Sequence, residues 1–266
     1  MANIRGWVAP AIAALVACFS ALDSRAGECR LESPEHRITL VELYTSEGCN
    51  SCPPADRWLS GLPQQGVSPD IAVLLAFHVD YWNQLGWPDR FSRPTFSDRQ
   101  RDVAARASSG VIYTPQLVVD GRDLRQGYNV EHLRTKLAAI NREKGQAKIR
   151  ADIHSFADVV QISGEVVVFG APGAKDVQTW IASFENGLSS RVTAGENAGK
   201  RLNHDYVVRE LAGPFSIGPE GRIALEHRIK LQADWNRERM GIAIFVERRD
   251  TGEVLEATGR YPLCMS

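Results

Sequence analysis

The residues with the clearest chemistry are two cysteines three positions apart, Cys49 and Cys52. They follow an apolar, β-branched run at 38–44 that predicts a strand, and they precede Pro53 and Pro54, which predict the first turn of a helix. The N–H groups and the dipole at the start of a helix favour a thiolate, the nucleophile of thiol–disulfide exchange. We expect Cys49 to attack a disulfide and Cys52 to resolve the resulting mixed disulfide.

Two other uses of this pair of cysteines stay open. The pair can be a permanent structural bridge, or it can supply half of a metal site with His78 as a further ligand. The prolines also suit a helix that starts at Cys52, which leaves Cys49 outside the helix. In that case the carboxylate of Glu47 would oppose ionisation of the Cys49 thiol.

A second group of candidates follows the next strand, which is predicted at 71–77 because the run is apolar without alternation. His78, Asp80 and Trp82 stand at its carboxyl end, the edge at which α/β sheets bind ligands. His78 is a candidate for tuning the dithiol and Asp80 for accepting its proton; a hydrogen-bonded core histidine and a turn cap are the alternatives. The aromatic, arginine-containing segment 81–94 suits a partner surface or, preferably, packing within the chain.

The rest of the N-terminal half continues to alternate helices and strands. A helix is predicted at about 95–110, a strand with a hairpin turn at 112–121, and a helix at about 129–145. Thr114 and Pro115 stand at the head of the strand, and the bond between them is a candidate for cis geometry at a functional turn.

The C-terminal half has a different pattern. From Lys148 onward, apolar and polar residues alternate in about seven short runs separated by turn residues, which predicts a β-sandwich-like domain. A polar loop at 195–206 is expected to join two of these strands, although it could also face the dithiol. The expected fold class is therefore an α/β domain at 36–145 followed by an all-β domain at 148–262.

The remaining cysteines of the exported chain lie near its two ends. An even number of cysteines in an oxidising compartment suggests disulfide bridges, and chain termini often meet at a domain surface. We predict a structural disulfide between Cys29 and Cys264 that closes a loop of more than two hundred residues. Two unpaired thiols are the alternative.

The first 26 residues predict a secretory signal peptide. Their apolar run is too short to span a membrane and ends in small residues, so cleavage is expected near Ala26, with export to the periplasm or beyond the cell. A lipoprotein-like box ending at Cys18 is the alternative, and only this would tether the chain to a membrane. The chain has 31 basic and 32 acidic residues, so it lacks the basic field of a nucleic-acid-binding protein.

Three motifs resemble a known family. They read ELYTSEGCNSCPPAD at 42–56, FHVDYW at 77–82 and YTPQ at 113–116. They are similar to the secreted thioredoxin-like family filed as domain of unknown function 1223, over essentially the whole mature chain. The resemblance implies a thioredoxin-like fold, export, and a cis-Pro115 that faces the dithiol. The chain departs from thioredoxin in having no Trp before Cys49.

These features together predict an exported thiol–disulfide oxidoreductase that needs no cofactor and holds no metal. Its partner would be an exported protein with a thiol or a disulfide, or a redox partner. The expected catalytic residues are Cys49 and Cys52, and the expected substrate-binding residues are Thr114, Pro115, His78, Asp80 and Trp82. The alternatives are a binding module in which the dithiol is a fixed brace, and a copper chaperone in which the two thiolates and His78 hold Cu(I).

Overall fold

The computed structural model describes residues 27–107, 110–125, 128–170 and 176–264. The predicted signal peptide at 1–26, with Cys18, lies outside these residues. Within them the chain forms three α-helices, which are α1 (Cys52–Ser60), α2 (Pro94–Arg106) and α3 (Val130–Ile140). Prolines occupy the first turns of α1 and α2, and the Asn129 side chain accepts a hydrogen bond from the His132 N–H at the start of α3.

The described residues also form fourteen strands. In chain order these are β1 (Gly27–Glu32), β2 (Thr39–Thr45), β3 (Ala72–His78), β4 (Gln116–Val119), β5 (Arg122–Asp123), β6 (Ala147–Ser155), β7 (Val159–Val168), β8 (Val177–Glu185), β9 (Leu188–Arg191), β10 (Arg201–His204), β11 (Val207–Ser216), β12 (Arg222–Lys230), β13 (Met240–Arg248) and β14 (Val254–Arg260). The runs predicted as strands at 38–44 and 71–77 correspond to β2 and β3.

The fold class expected from the sequence is wrong. Eight strands from both halves of the chain form one continuous sheet, in the order β14-β13-β8-β11-β3-β2-β4-β5. The two halves join where β11 pairs in parallel with β3, at Val207 and Ala76. A second sheet, β1-β6-β7-β12, places a strand from the start of the described chain among strands of the C-terminal half. The protein is a mainly β structure whose two large sheets combine strands from both halves of the chain. It is not an α/β, thioredoxin-like domain followed by an all-β domain.

The physical reason lies in what a strand pattern contains. Apolar content and alternation identify a strand and its buried faces, but they do not specify which strand completes its edge. Every residue of β2 and β3 is buried, as the sequence indicated. The sequence did not indicate that strands more than a hundred positions away continue the same sheet.

Apolar side chains pack on both faces of the eight-stranded sheet. On one face, α1 and α3 contribute Leu59 and Leu133 to a cluster with residues of β2, β3 and β4. On the other face, Phe77 of β3 packs in a cluster with Phe245 of β13 and Ala257 of β14. Strands at one end of the sheet therefore fold back over its middle, so the sheet is strongly curved.

A buried arginine links α2 to both halves of the chain. Arg99 donates to Glu42 of β2 at 2.7 Å and to Glu247 of β13 at 2.9 and 3.2 Å. Its guanidinium also lies 4.9 Å from the ring centre of Phe245 and 5.4 Å from that of Trp180. Because a buried charge is tolerated only with partners, this network fixes the position of α2 across the sheet.

The predicted disulfide at the ends of the exported chain is present. Cys29 of β1 bonds to Cys264, which follows β14, and the two Cα atoms are 5.6 Å apart. The bridge fastens the four-stranded sheet to the end of the eight-stranded one. None of the helices in the described part of the chain has the length and apolar character needed to cross a membrane.

Candidate functional site

The dithiol lies between β2 and α1. Cys49 and Cys52 form a disulfide with their Cα atoms 5.4 Å apart, and neither residue has solvent-exposed surface. Helix α1 begins at Cys52, which is the alternative that the two prolines left open, so Cys49 lies outside the helix. The Cys49 Sγ contacts the Ser51 hydroxyl at 3.3 Å. Pro53 and Pro54 have no N–H, and the Cys52 N–H donates to the Cys49 carbonyl at 3.2 Å, so the first turn of α1 offers few free amides to a thiolate.

A loop from the C-terminal half holds the dithiol segment in place. It connects β9 to β10, and its Asn197 side chain donates to the carbonyl oxygens of Glu47 and Cys49, both at 2.9 Å. The adjacent Glu196 accepts a hydrogen bond from the Asn50 N–H at 3.0 Å. The segment predicted as a polar loop at 195–206 is therefore a loop only up to residue 200, followed by β10, and this loop both connects the two strands and contacts the dithiol segment. Asn197 is fully buried. Its position in a polar loop did not indicate that it would bind the dithiol segment.

A buried group of ionisable side chains lies behind the dithiol segment. His204 of β10 contacts Glu47 through Nε2 at 3.2 Å and Asp56 of α1 through Nδ1 at 3.5 Å. Burial alone would lower the pKa of His204, but the hydrogen bonds and charges of Asp56 and Glu47 outweigh it and raise the pKa to about 10. Burial raises the pKa of Glu47, but the hydrogen bonds from His204, Ser190 and Trp87 together hold it below its ordinary value. An imidazolium thus lies between two carboxylates.

His78 belongs to the same buried group. Its Nδ1 lies 2.6 Å from Asp89, and its ring centre lies 4.9 Å from that of His204. Asp89 also accepts hydrogen bonds from the backbone N–H groups of Glu47 and Phe91, both at 2.9 Å. Burial raises the pKa of Asp89, but the charge of His78 leads the effects that hold it below its ordinary value. His78 is fully buried and bonded to Asp89, as expected for the alternative in which it is a hydrogen-bonded core histidine.

Trp82, Thr114 and Pro115 are brought together beside the dithiol segment. The Trp82 indole donates to the Thr114 hydroxyl at 2.8 Å, and the Thr114–Pro115 bond is cis. A Cβ placed on Gly48 would lie only 3.0 Å from the Trp82 Cβ, so the missing side chain permits this close approach. The Asp80 side chain bonds to α2 instead. The Ser97 hydroxyl donates to the Asp80 carboxylate and accepts from the Asp80 N–H.

The aromatic segment at 81–94 packs within the chain, which is the alternative that the sequence favoured. Trp87 donates its indole N–H to Glu47 at 2.8 Å, and Arg90 donates to the Ser189 carbonyl of β9 at 3.1 Å. The segment thereby joins the dithiol segment to the β9–β10 hairpin. In the described part of the chain, no three His, Cys, Asp or Glu side chains are grouped so that they could hold a metal ion.

Residues 40–247 match the family model described as "Protein of unknown function (DUF1223)". The chain belongs to this family. The DUF1223 match includes β2, the dithiol, the aromatic segment and the β9–β10 hairpin, so it spans both parts of the chain that build the site.

Two solved structures share the fold of this DUF1223 protein. One is protein AGR_C_4864 from Agrobacterium tumefaciens, which is 23% identical with a TM-score of 0.61 and covers 88% of this chain and 98% of its own. The other is HBP35 of Porphyromonas gingivalis, which is 12% identical with a TM-score of 0.62 and covers 88% of this chain and 79% of its own. No curated protein is significantly similar to the chain.

Proposed function

We propose that this protein is an exported binding module in which Cys49–Cys52 is a structural disulfide. The observation that carries the proposal is the complete burial of both cysteines, in a segment that a loop of the C-terminal half holds by hydrogen bonds. Thiol–disulfide exchange requires a thiolate that a partner can reach. A bridge without exposed surface serves instead to hold the end of β2 to the start of α1.

The surroundings of Cys49 support the same conclusion. The hydrogen bonds from Asn197 hold the backbone on both sides of Gly48, so the 195–200 loop restrains the segment that carries the buried sulfur. The nearby carboxylate of Glu47 carries negative charge, which opposes ionisation of a thiol. The two prolines in the first turn of α1 have no N–H with which to stabilise a thiolate at Cys49.

A thiol–disulfide oxidoreductase is the second candidate. It is favoured by one arrangement: Trp82 and Thr114, with cis-Pro115, lie beside the loop that carries Cys49, where a substrate peptide would have to pass. Its partner would be an exported protein with a thiol or disulfide. For either candidate, export rests on the signal-peptide prediction, and membrane attachment would require lipidation of Cys18.

The reduction potential of the Cys49–Cys52 pair decides between the two candidates. Alkylation followed by mass spectrometry across a graded thiol buffer measures the reduced fraction of this pair separately from Cys29–Cys264. The binding module predicts a potential below about −300 mV, the range of structural bridges. A value between about −270 and −120 mV would overturn it and support the oxidoreductase, and Cys52→Ser should then trap mixed disulfides through Cys49.

A further inference from the structure

The protein has a cleft of about 400 Å³ that the dithiol site does not use. One wall is formed by the α1–β3 connection, including Pro63 and Val67, and the other by Phe184 of β8 and Tyr261 after β14. Ala72, Val73 and Leu74 of β3 line the cleft between these walls. The floor of the cleft is thus the edge of a strand.

The edge of β3 is incomplete at this point. The Ala76 N–H donates to the Tyr206 carbonyl at 2.8 Å, and β11 pairs with β3 only at Val207 and Ala76. From there β11 runs away from the start of β3, so no strand in the described ranges pairs with Ala72–Leu75 on this side. The Ala72 N–H donates to the Ser68 carbonyl at 3.1 Å, and the groups left for a partner strand begin at the Ala72 carbonyl. Because backbone groups alternate along a strand, the N–H and C=O of Leu74 point to the same side as those of Ala76.

The walls suit an added strand. Side chains of a strand point alternately to the two faces of its sheet, and the two walls belong to the layers that cover the two faces of β3. The cleft also contains opposite charges, from Asp205 and from the exposed Arg260. An extended peptide offers main-chain donors and acceptors for the edge, apolar side chains for the walls, and charged groups for these two residues.

We propose that the cleft binds an extended peptide segment of an exported partner protein, which adds as a strand to the edge of β3 at Ala72–Leu75. Main-chain hydrogen bonds would supply affinity, and the two walls would select the side chains. At ~3.3 Å per residue, about four peptide residues fill this edge. The inference rests on the proposed function and identifies the kind of partner that the binding module takes.

The test uses a capped hexapeptide, acetyl-Lys-Val-Thr-Val-Thr-Glu-amide, and amide hydrogen exchange of the protein followed by NMR. Binding should slow exchange of the Leu74 amide at least tenfold, because the peptide covers and pairs with it. The same peptide with N-methyl groups on its four central residues lacks those donors and should bind at least tenfold more weakly. Equal binding of the two peptides, or unchanged exchange at Leu74, would overturn the proposal.

A pair of variants in one exposed turn locates the site. Gln64 lines the cleft and Gln65 does not, although both are exposed. Gln64→Trp should fill the cleft and abolish binding of the hexapeptide, whereas Gln65→Trp should bind it as the wild type does. Absent binding together with a structural potential at Cys49–Cys52 would refute this inference alone. A potential in the working range of oxidoreductases would refute the proposed function whether or not the peptide binds.

Discussion

The Asn197 side-chain amide donates to the Cys49 carbonyl at 2.9 Å, across 148 positions of sequence. The same amide donates to Glu47, so one buried side chain bridges the residues on either side of Gly48. This contact makes the C-terminal half a part of the dithiol site. It also gives the site a physical lock, because both hydrogen bonds hold the backbone that carries the buried Cys49.

Replacing Asn197 should loosen this lock. Asn197→Ala leaves two buried carbonyl groups without their donor, so we expect a loss of about 1–3 kcal/mol in the free energy of unfolding. Reduction of Cys49–Cys52 by dithiothreitol should become at least several-fold faster. Urea denaturation and timed alkylation measure the two effects. Asn203→Ala, an exposed position on β10, is the matched control and should change neither. An unchanged reduction rate in Asn197→Ala would show that the loop does not limit access.

The buried imidazolium should make stability depend on pH. In the folded protein the pKa of His204 is about 10, whereas its ordinary value is 6.5. A raised folded pKa contributes stability that is fully present below pH 6.5 and declines as the pH rises toward 10. The difference in unfolding free energy between wild type and His204→Gln should therefore be largest near pH 6 and smallest near pH 10. Chemical denaturation at several pH values measures it.

The control for this pH dependence is His132→Gln, on α3, whose ring is in no ion pair within the described residues. It should follow the wild-type curve throughout. A difference between wild type and His204→Gln that stays constant from pH 6 to pH 10 would contradict the charged state assigned to His204.

Removing the buried arginine that links α2 to the sheet should be strongly destabilising. Arg99→Met retains much of the apolar bulk but leaves the carboxylates of Glu42 and Glu247 buried without their cation. Breaking a buried pair in this way costs about 3–5 kcal/mol. Arg101→Met, two residues along α2, removes only an exposed pair with Asp98 and should cost less than about 1 kcal/mol. Similar urea midpoints for the two variants would contradict the structural role of Arg99.

Opening the terminal disulfide should destabilise the fold without affecting the dithiol. The bond joins residues 235 positions apart, and the double variant Cys29→Ser, Cys264→Ser frees the unfolded chain of that constraint. We expect a loss of about 2–5 kcal/mol, measured by guanidinium denaturation. The reduction potential of Cys49–Cys52 should stay at its wild-type value in this variant. A shift in that potential would indicate that the two disulfides are coupled.

Local features of the site could be predicted from residues close together in sequence. The order of strand, dithiol and helix follows from the apolar run of β2 and the prolines of α1, and the pairing of Cys29 with Cys264 follows from their number and places. Trp82 and Thr114 were expected to belong to the same substrate site, but their direct contact was not predicted. Asn197, Asp56 and His204 gave no usable signal, because polar residues in a loop, in a short helix or at a strand end are common and the contacts that join these three lie far apart along the chain.

The sequence by itself predicted the three helices and most of the strands, although not β1, β9 or β10. It also predicted where the two cysteines of the dithiol stand and that Cys29 pairs with Cys264. These properties depend on periodicity, turn residues and spacing, which are local. Only the tertiary structure decided that β11 joins β3, that Asn197 bonds to the dithiol segment, and that part of the β3 edge stays open. Strand edges carry the same backbone groups in every sequence, so their partners are chosen by how the whole chain packs.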